Sequence, residues 1–196
     1  NIRISKNIII KELSYLLMEK FYIINQFMMY IEGQLDQYGK LISKVHQVDQ
    51  TFLVDRSPVE IIEDSIKFIG YDFKGAKSIA KWILGEFSMC PVMVNPIHGI
   101  CVFPDRSITS DKAIWYNPVH IIRTTTHLRK TRIEFSNGQT LDIQRKLSSF
   151  NHKLQAAEQL RKLTVEVGKN PTSFIQAPNN QRYVLNITKT KRRVKK

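Results

Sequence analysis

The stretch RKTRIEFSNGQTLDIQRK, residues 129–146, leaves the backbone few paths. Its central pair, Asn137-Gly138, lies between two apolar-rich runs, a strong short-range signal for a β-hairpin. Opposed residues share a sheet face, so loop length decides the chemistry of each face. A two-residue loop pairs Ile133 with Asp142 and Glu134 with Leu141, mixing charged and apolar groups on both faces. A three-residue loop, Ser136-Asn137-Gly138, pairs Ile133 with Leu141, Thr131 with Ile143 and Arg132 with Asp142. That register makes one face apolar and the other ionic. It also sets Gly138 at the left-handed position of a G1 bulge, which glycine adopts without a Cβ clash. The second register is expected, with a tip that needs to touch nothing else.

The remaining punctuation extends the pattern. FYIINQFMMYI and KLISKVHQV read as strands around a turn-forming EGQLDQYG, and TFLV as a short third strand. Ser57 to Gly70 predicts a helix. Ser57 and Glu60 match a capping box, Pro58 falls at the first helical position, and Val59, Ile62, Ile66 and Ile69 make an apolar stripe. YDFKGAKSIAKWILGEF predicts a second helix ending at Gly85, with Lys74, Lys77 and Lys81 on one face. PVMV and GICVF predict another hairpin. AIWYNPVHIIRTTTHLR predicts a long β segment broken at Pro118, with His120 and His127 on opposite faces. Ser148 or Ser149 is expected to cap a last helix with the stripe Phe150, Leu154 and Ala157, extending to Leu160 or Leu163. The expected fold is α+β, with short antiparallel hairpins forming a sheet, two or three packed helices and a basic flexible tail. Its expected organisation is an extension at 1–20, one domain at 21–166, and a linker with basic tail at 167–196.

Charge narrows function. Thirty Lys and Arg against 17 Asp and Glu give a net charge of +13. The isoelectric point is about 9.8. Such a field favours a polyanionic partner: nucleic acid, an anionic membrane surface or an acidic protein. Three lysines on one short helix face, with no acid between them, repel one another. That face is either simply solvated or a phosphate contact. The end, KTKRRVKK, reads as a disordered basic tail that adds nonspecific phosphate contacts through Lys191, Arg192 and Arg193. The N-terminal NIRISKNIIIKELSYLL has no cleavage pattern of a signal peptide and precedes the first Met, Met18. Three readings of it stand: a native extension, an amphipathic helix, or sequence translated upstream of a start at Met18.

Chemistry-bearing patterns are sparse. There is no phosphate-binding glycine loop, no nucleophile elbow and no His-Glu-x-x-His spacing. Cys90, His98 and Cys101 lack zinc-ligand spacing, and two cysteines fit a reducing cytoplasm. No catalytic residue, metal or cofactor is expected, and the chain is not expected to be an enzyme. No apolar run reaches the ~18 residues of a spanning helix.

Taken in order, several segments resemble the competence transcription factor family, ComK, of Gram-positive bacteria. They are QLDQYGKLISKV, DSIKFIGYDFKGAKS, PVMVNPIHGICVFPD, AIWYNPVHI, IEFSNGQTLDI and the SSFNHK that follows. Together they cover roughly residues 21–160. The resemblance implies a cytoplasmic activator of DNA-uptake genes that binds A/T-rich double-stranded DNA largely through the minor groove. It implies dimers pairing into tetramers, and an indirect link to RNA polymerase. Phosphate or groove contacts are then expected from Lys67, Lys74, Lys77, Lys81, Arg123, Arg129, Lys130, Arg132, Arg145 and Lys146, besides the tail. Arg132 is also the expected partner of Asp142. Family members can carry a Phe-Met-Leu-Tyr-Pro type sequence for capture by a proteolytic adaptor. Here Phe174-Ile175-Gln176-Ala177-Pro178 keeps only Phe174 and Pro178, which leaves that route open. Two other readings remain: a peripheral protein of anionic membranes using residues 1–17 and 189–196, and an inactive or interaction-only family member.

Overall fold

A computed structural model describes residues 18–85 and 89–169. In chain order the elements are β1 (Met28–Leu35), β2 (Leu41–Gln47), β3 (Thr51–Val54), α1 (Pro58–Phe68), α2 (Phe73–Leu84), β4 (Val92–Asn95), β5 (Ile100–Pro104) and β6 (Ile114–Tyr116). A 3-10 turn at Pro118–His120 leads into β7 (Ile121–His127), β8 (Lys130–Phe135), β9 (Thr140–Ile143) and α3 (Leu147–Lys169). The fold is α+β. Antiparallel pairing builds a six-stranded sheet ordered β3-β2-β1-β6-β5-β4 and a three-stranded sheet ordered β7-β8-β9.

The large sheet is buried on both faces, so its inner strands are apolar at consecutive positions rather than alternating. Val92, Val94, Ile100, Val102 and Trp115 point to one side, where Ile61, Ile62 and Ile66 of α1 cover them. Met93, Cys101, Phe103 and Tyr116 point to the other, against Ile133, Phe135 and Ile143 of the small sheet and Phe150, Ala157 and Leu160 of α3. Helix α2 contributes Phe73 and Ala76 to the first cluster and Ala80, Ile83 and Leu84 to the second. It therefore packs beside β4, at the edge of the sheet, and reaches the cores on both faces.

The Asn-Gly hairpin has the three-residue loop. Thr131 faces Ile143, Arg132 faces Asp142 and Ile133 faces Leu141, and Gly138 has φ +81°. Its tip does touch a neighbour, contrary to expectation: the Asn137 side-chain amide donates to the Val48 carbonyl at 3.0 Å. The capping box of α1 also forms. Ser57 N donates to Glu60 Oε2 at 2.7 Å, and Glu60 N to Ser57 Oγ at 3.3 Å.

Other boundaries differ for local reasons. FYIIN is not strand: Asn25 Oδ1 accepts from Phe27 N at 2.9 Å, and Ile24 N donates to Ser65 Oγ at 2.9 Å instead of to a strand partner. At its other end β1 runs on through Leu35, because Asp36 Oδ1 closes a tight turn by accepting from Tyr38 N and Lys40 N, both at 2.8 Å. The buried residues of α1 are Pro58, Ile61, Ile62, Ser65 and Ile66, while Ile69 is the C-cap. His120 sits in the 3-10 turn, not on a strand. Helix α3 starts at Leu147, so both serines lie inside its first turn and cap nothing, and it carries on through Gly168 to Lys169.

Gly33 in β1 marks a close approach. A Cβ there would lie 2.5 Å from the Asp111 carbonyl oxygen, which belongs to rigid backbone. Gly33→Ala is expected to destabilise the fold by about 1–3 kcal/mol in a denaturant titration. An unchanged midpoint would mean that the loop before β6 yields freely.

Candidate nucleic-acid interface

Strand alternation sorts the small sheet into two chemistries. Thr131, Ile133 and Phe135 of β8 are buried, whereas Lys130, Arg132 and Glu134 face outward. On the outer face Arg123 Nε and Nη2 donate to Glu134 Oε2 at 2.9 and 2.7 Å. Arg132 Nε and Nη2 donate to the two Asp142 oxygens at 2.7 and 2.8 Å. His127 Nδ1 lies 3.0 Å from Asp142 Oδ2 and 2.7 Å from Arg132 Nη2. The Arg132 fork holds the Asp142 carboxyl well below the usual range, with His127 adding to the effect. Arg123 and Arg132, two of the expected contacts, thus already have acidic partners.

Beyond these pairs β7 turns sharply into β8. His127 pairs with Lys130, and only Leu128 and Arg129 lie between them. Both have positive φ, 47° and 62°, the geometry of a type I′ hairpin turn. Leu128 is 81% exposed. Sequence reasoning missed this turn because it contains no glycine, asparagine or proline. Among the described residues Arg129 and Lys130 have no ion pair.

The lysines of α2 share a flank, as their spacing predicts, but not one environment. Lys74 and Lys81 are exposed, while Lys77 is half-buried with Nζ 5.2 Å from the Phe73 ring centroid. Lys77 and Lys81 also line a cavity of about 270 Å³ whose other walls include Phe73, Ile108 and Trp115. Asp72 caps this helix, accepting from Gly75 N at 2.7 Å, and is its sole acid; no acid lies between the lysines.

Arg145 has a different fate. Its Nε is 3.4 Å from Asp105 Oδ2, and the Asp105 side chain is fully buried. The same carboxylate takes Arg106 Nη2 at 2.9 Å and Ile114 N at 3.0 Å. The Lys153 ammonium donates to the Asp105 carbonyl and, at 3.4 Å, to Met89 Sδ. Burial holds Lys153 below the ordinary lysine range, and Arg145 and Arg106 push the same way. Three cations around one carboxylate leave this corner positive. Neither Arg106 nor Lys153 was singled out from sequence, because their convergence depends on contacts across 48 residues of chain. Lys67, in the last turn of α1, and Lys146, before α3, are exposed. Lys191, Arg192, Arg193, Phe174 and Pro178 lie outside the described residues. Among the described residues no cluster of His, Cys, Asp and Glu is placed to hold a metal, and no helix is long and apolar enough to cross a membrane.

Because the Asp142 carboxyl is depressed on folding, its bond with Arg132 contributes fully above its unfolded value of about 3.9 and is lost as pH falls through the lower folded value. Asp142→Asn should therefore lower the melting temperature at neutral pH and flatten the decline below about pH 4. Identical acid limbs for variant and wild type would show that the pair is energetically idle.

The sequence profile of the ComK protein family matches residues 19–167. The chain is 30% identical over 124 residues to the competence transcription factor of Bacillus subtilis (strain 168). That alignment covers 63% of this chain and 65% of the relative, so the chain spans somewhat less than two thirds of the curated protein it matches. No solved structure matches the chain. The family profile runs from just before β1 almost to the end of α3, taking in both sheets and all three helices, and the chain belongs to the ComK family.

Proposed function

We propose that this chain is a transcriptional regulator of DNA-uptake genes that binds A/T-rich duplex DNA through phosphates and groove contacts. One observation carries the reading: exposed cations without acidic partners gather on one flank of α2 and at the β7–β8 tip, while the acids of the small sheet are used up in pairs. The family and the printed role of the B. subtilis relative support it. Lys74, Lys81, Arg129, Lys130 and Lys146 are the phosphate contacts, joined by Lys77, with Lys67 and the basic tail at the periphery. Arg123, Arg132 and Arg145 brace the surface from within their ion pairs. A net charge of +13 draws the duplex in, and counterion release supplies sequence-independent affinity. Narrow A-tract grooves, with their enhanced negative potential, supply preference without a reading helix. Localisation is cytoplasmic on this reading, and coupling to RNA polymerase is indirect.

Copies of the chain pair through the opposite flank of α2. Ile79 and Trp82, one turn apart, are 50% and 59% exposed, an apolar surface of the kind that anchors protein interfaces. The lysine flank stays open to DNA.

The test is equilibrium binding to an A-tract and a G·C-rich duplex of equal length at several salt concentrations. A steep salt slope with A-tract preference is expected. Reversing Lys77 and Lys81 to Glu should weaken binding to both duplexes about tenfold or more and flatten the slope by roughly two phosphate contacts. A folded protein that binds neither duplex would contradict the reading. Trp82→Glu is expected to shift the sedimentation profile towards monomer, and an unchanged profile would place pairing elsewhere.

A further inference from the structure

We infer that the β7–β8 tip is a groove-inserting element, with Leu128 as an apolar wedge pressed against a base step and Arg129 as its charged partner. The inference rests on the DNA-binding reading above and gives it a specific contact.

Turn chemistry is the first support. A two-residue type I′ loop needs positive φ at both positions, which Asn-Gly provides with little strain. Here the pair is Leu128 and Arg129, at φ 47° and 62°. Left-handed backbone at side-chain-bearing residues is costly, and a branched leucine gains nothing in return from the turn itself. The neighbouring β8–β9 hairpin, by contrast, places Asn137-Gly138 in its loop, with Gly138 at φ 81°.

Exposure is the second. At 81%, Leu128 is the most exposed large aliphatic side chain among the described residues. Among the described residues it packs into neither core cluster.

Setting is the third. Leu128 is followed directly by Arg129 and Lys130, which have no ion pair among the described residues, and the stem behind them is braced by Arg132–Asp142 and Arg123–Glu134. Ile133 and Phe135 fix the stem's other face in the core. A stiff ribbon therefore presents one apolar side chain beside two cations. Duplex DNA offers the complement: apolar base stacks flanked by phosphate rails. Apolar side chains that wedge between base steps kink the duplex, and flexible pyrimidine–purine steps such as TA open most easily. The ligand class is thus A/T-rich duplex DNA in which narrow-groove A-tracts adjoin such a step.

The test uses the full chain, wild type against Leu128→Asn/Arg129→Gly and against Leu128→Ala. Melting temperature, affinity for an A/T-rich duplex, duplex bending by end-to-end energy transfer, and flotation with anionic phospholipid vesicles are measured on each. The double variant installs the favoured turn. It should melt about 4 °C higher, yet bind DNA about tenfold or more weaker and leave the duplex straighter. Leu128→Ala keeps Arg129. It should lose bending and several-fold affinity while the salt slope stays the same. Wild-type affinity and bending in Leu128→Ala would overturn the wedge, and that single variant decides the matter should the double variant fail to fold. Loss of vesicle flotation with DNA binding intact would also overturn it, in favour of a membrane contact. A wild-type protein that binds no duplex would fail the DNA reading itself, and the wedge with it.

Discussion

Five aromatic rings join the small sheet and α3 to the large sheet. Tyr30 comes from β1, Phe103 from β5, Tyr116 from β6, Phe135 from β8 and Phe150 from α3. Tyr30 stacks on Phe135 at 4.9 Å, Tyr116 meets Phe150 edge-on at 5.3 Å, and Phe103 lies 5.5 Å from both Tyr116 and Phe150. Offset and edge-on pairs of this kind gain about 0.5–1.5 kcal/mol each beyond burial. Tyr30 and Phe135 dock the small sheet onto the large one, and Phe150 docks α3 onto β5 and β6. Without this cluster the β7–β8 hairpin would be an isolated ribbon, which water alone does not stabilise. Burial also pushes the Tyr30 phenol up to about 12, with the nearby Glu32 carboxylate adding to the effect.

The outward charge pattern of the small sheet follows from that docking. With the inner face of the small sheet committed to the core, its polar residues must face outward, and their pairing decides which cations are left over. Glu134 and Asp142 take Arg123 and Arg132 across the strands. Asp105 takes Arg145 and Arg106 at the joint between the large sheet and α3. Among the described residues the cations left outside those pairs include the lysines of α2, Lys67, Lys146, and Arg129 and Lys130 at the strained turn. Net charge attracts a polyanion, whereas the pattern of unpaired charge selects where it lies.

Much of this is legible in the sequence. The Asn137-Gly138 loop length followed from requiring one apolar face, and the capping box of α1 from Ser57 and Glu60. Both depend on interactions only a few residues apart. The failures depend on distant ones. FYIIN has strand-forming residues, but Ile24 N is taken by Ser65, 41 residues away. Arg145 looked free because its partner, Asp105, lies 40 residues back in the chain. Asn137 reaches Val48 across 89 residues. The Leu128-Arg129 turn was hidden for another reason: its residues contradict turn preference, and local propensity misreads a site where backbone strain is imposed by the flanking strands.

Hydrogen exchange of the full chain, free and bound to an A/T-rich duplex, tests most directly whether the unpaired cations form one DNA surface. Slowed exchange is predicted at residues 74–84 and across the β7–β8 turn, with β2 and β3 unchanged. Protection confined to β1–β3, with the turn and α2 exchanging as in the free protein, would contradict it.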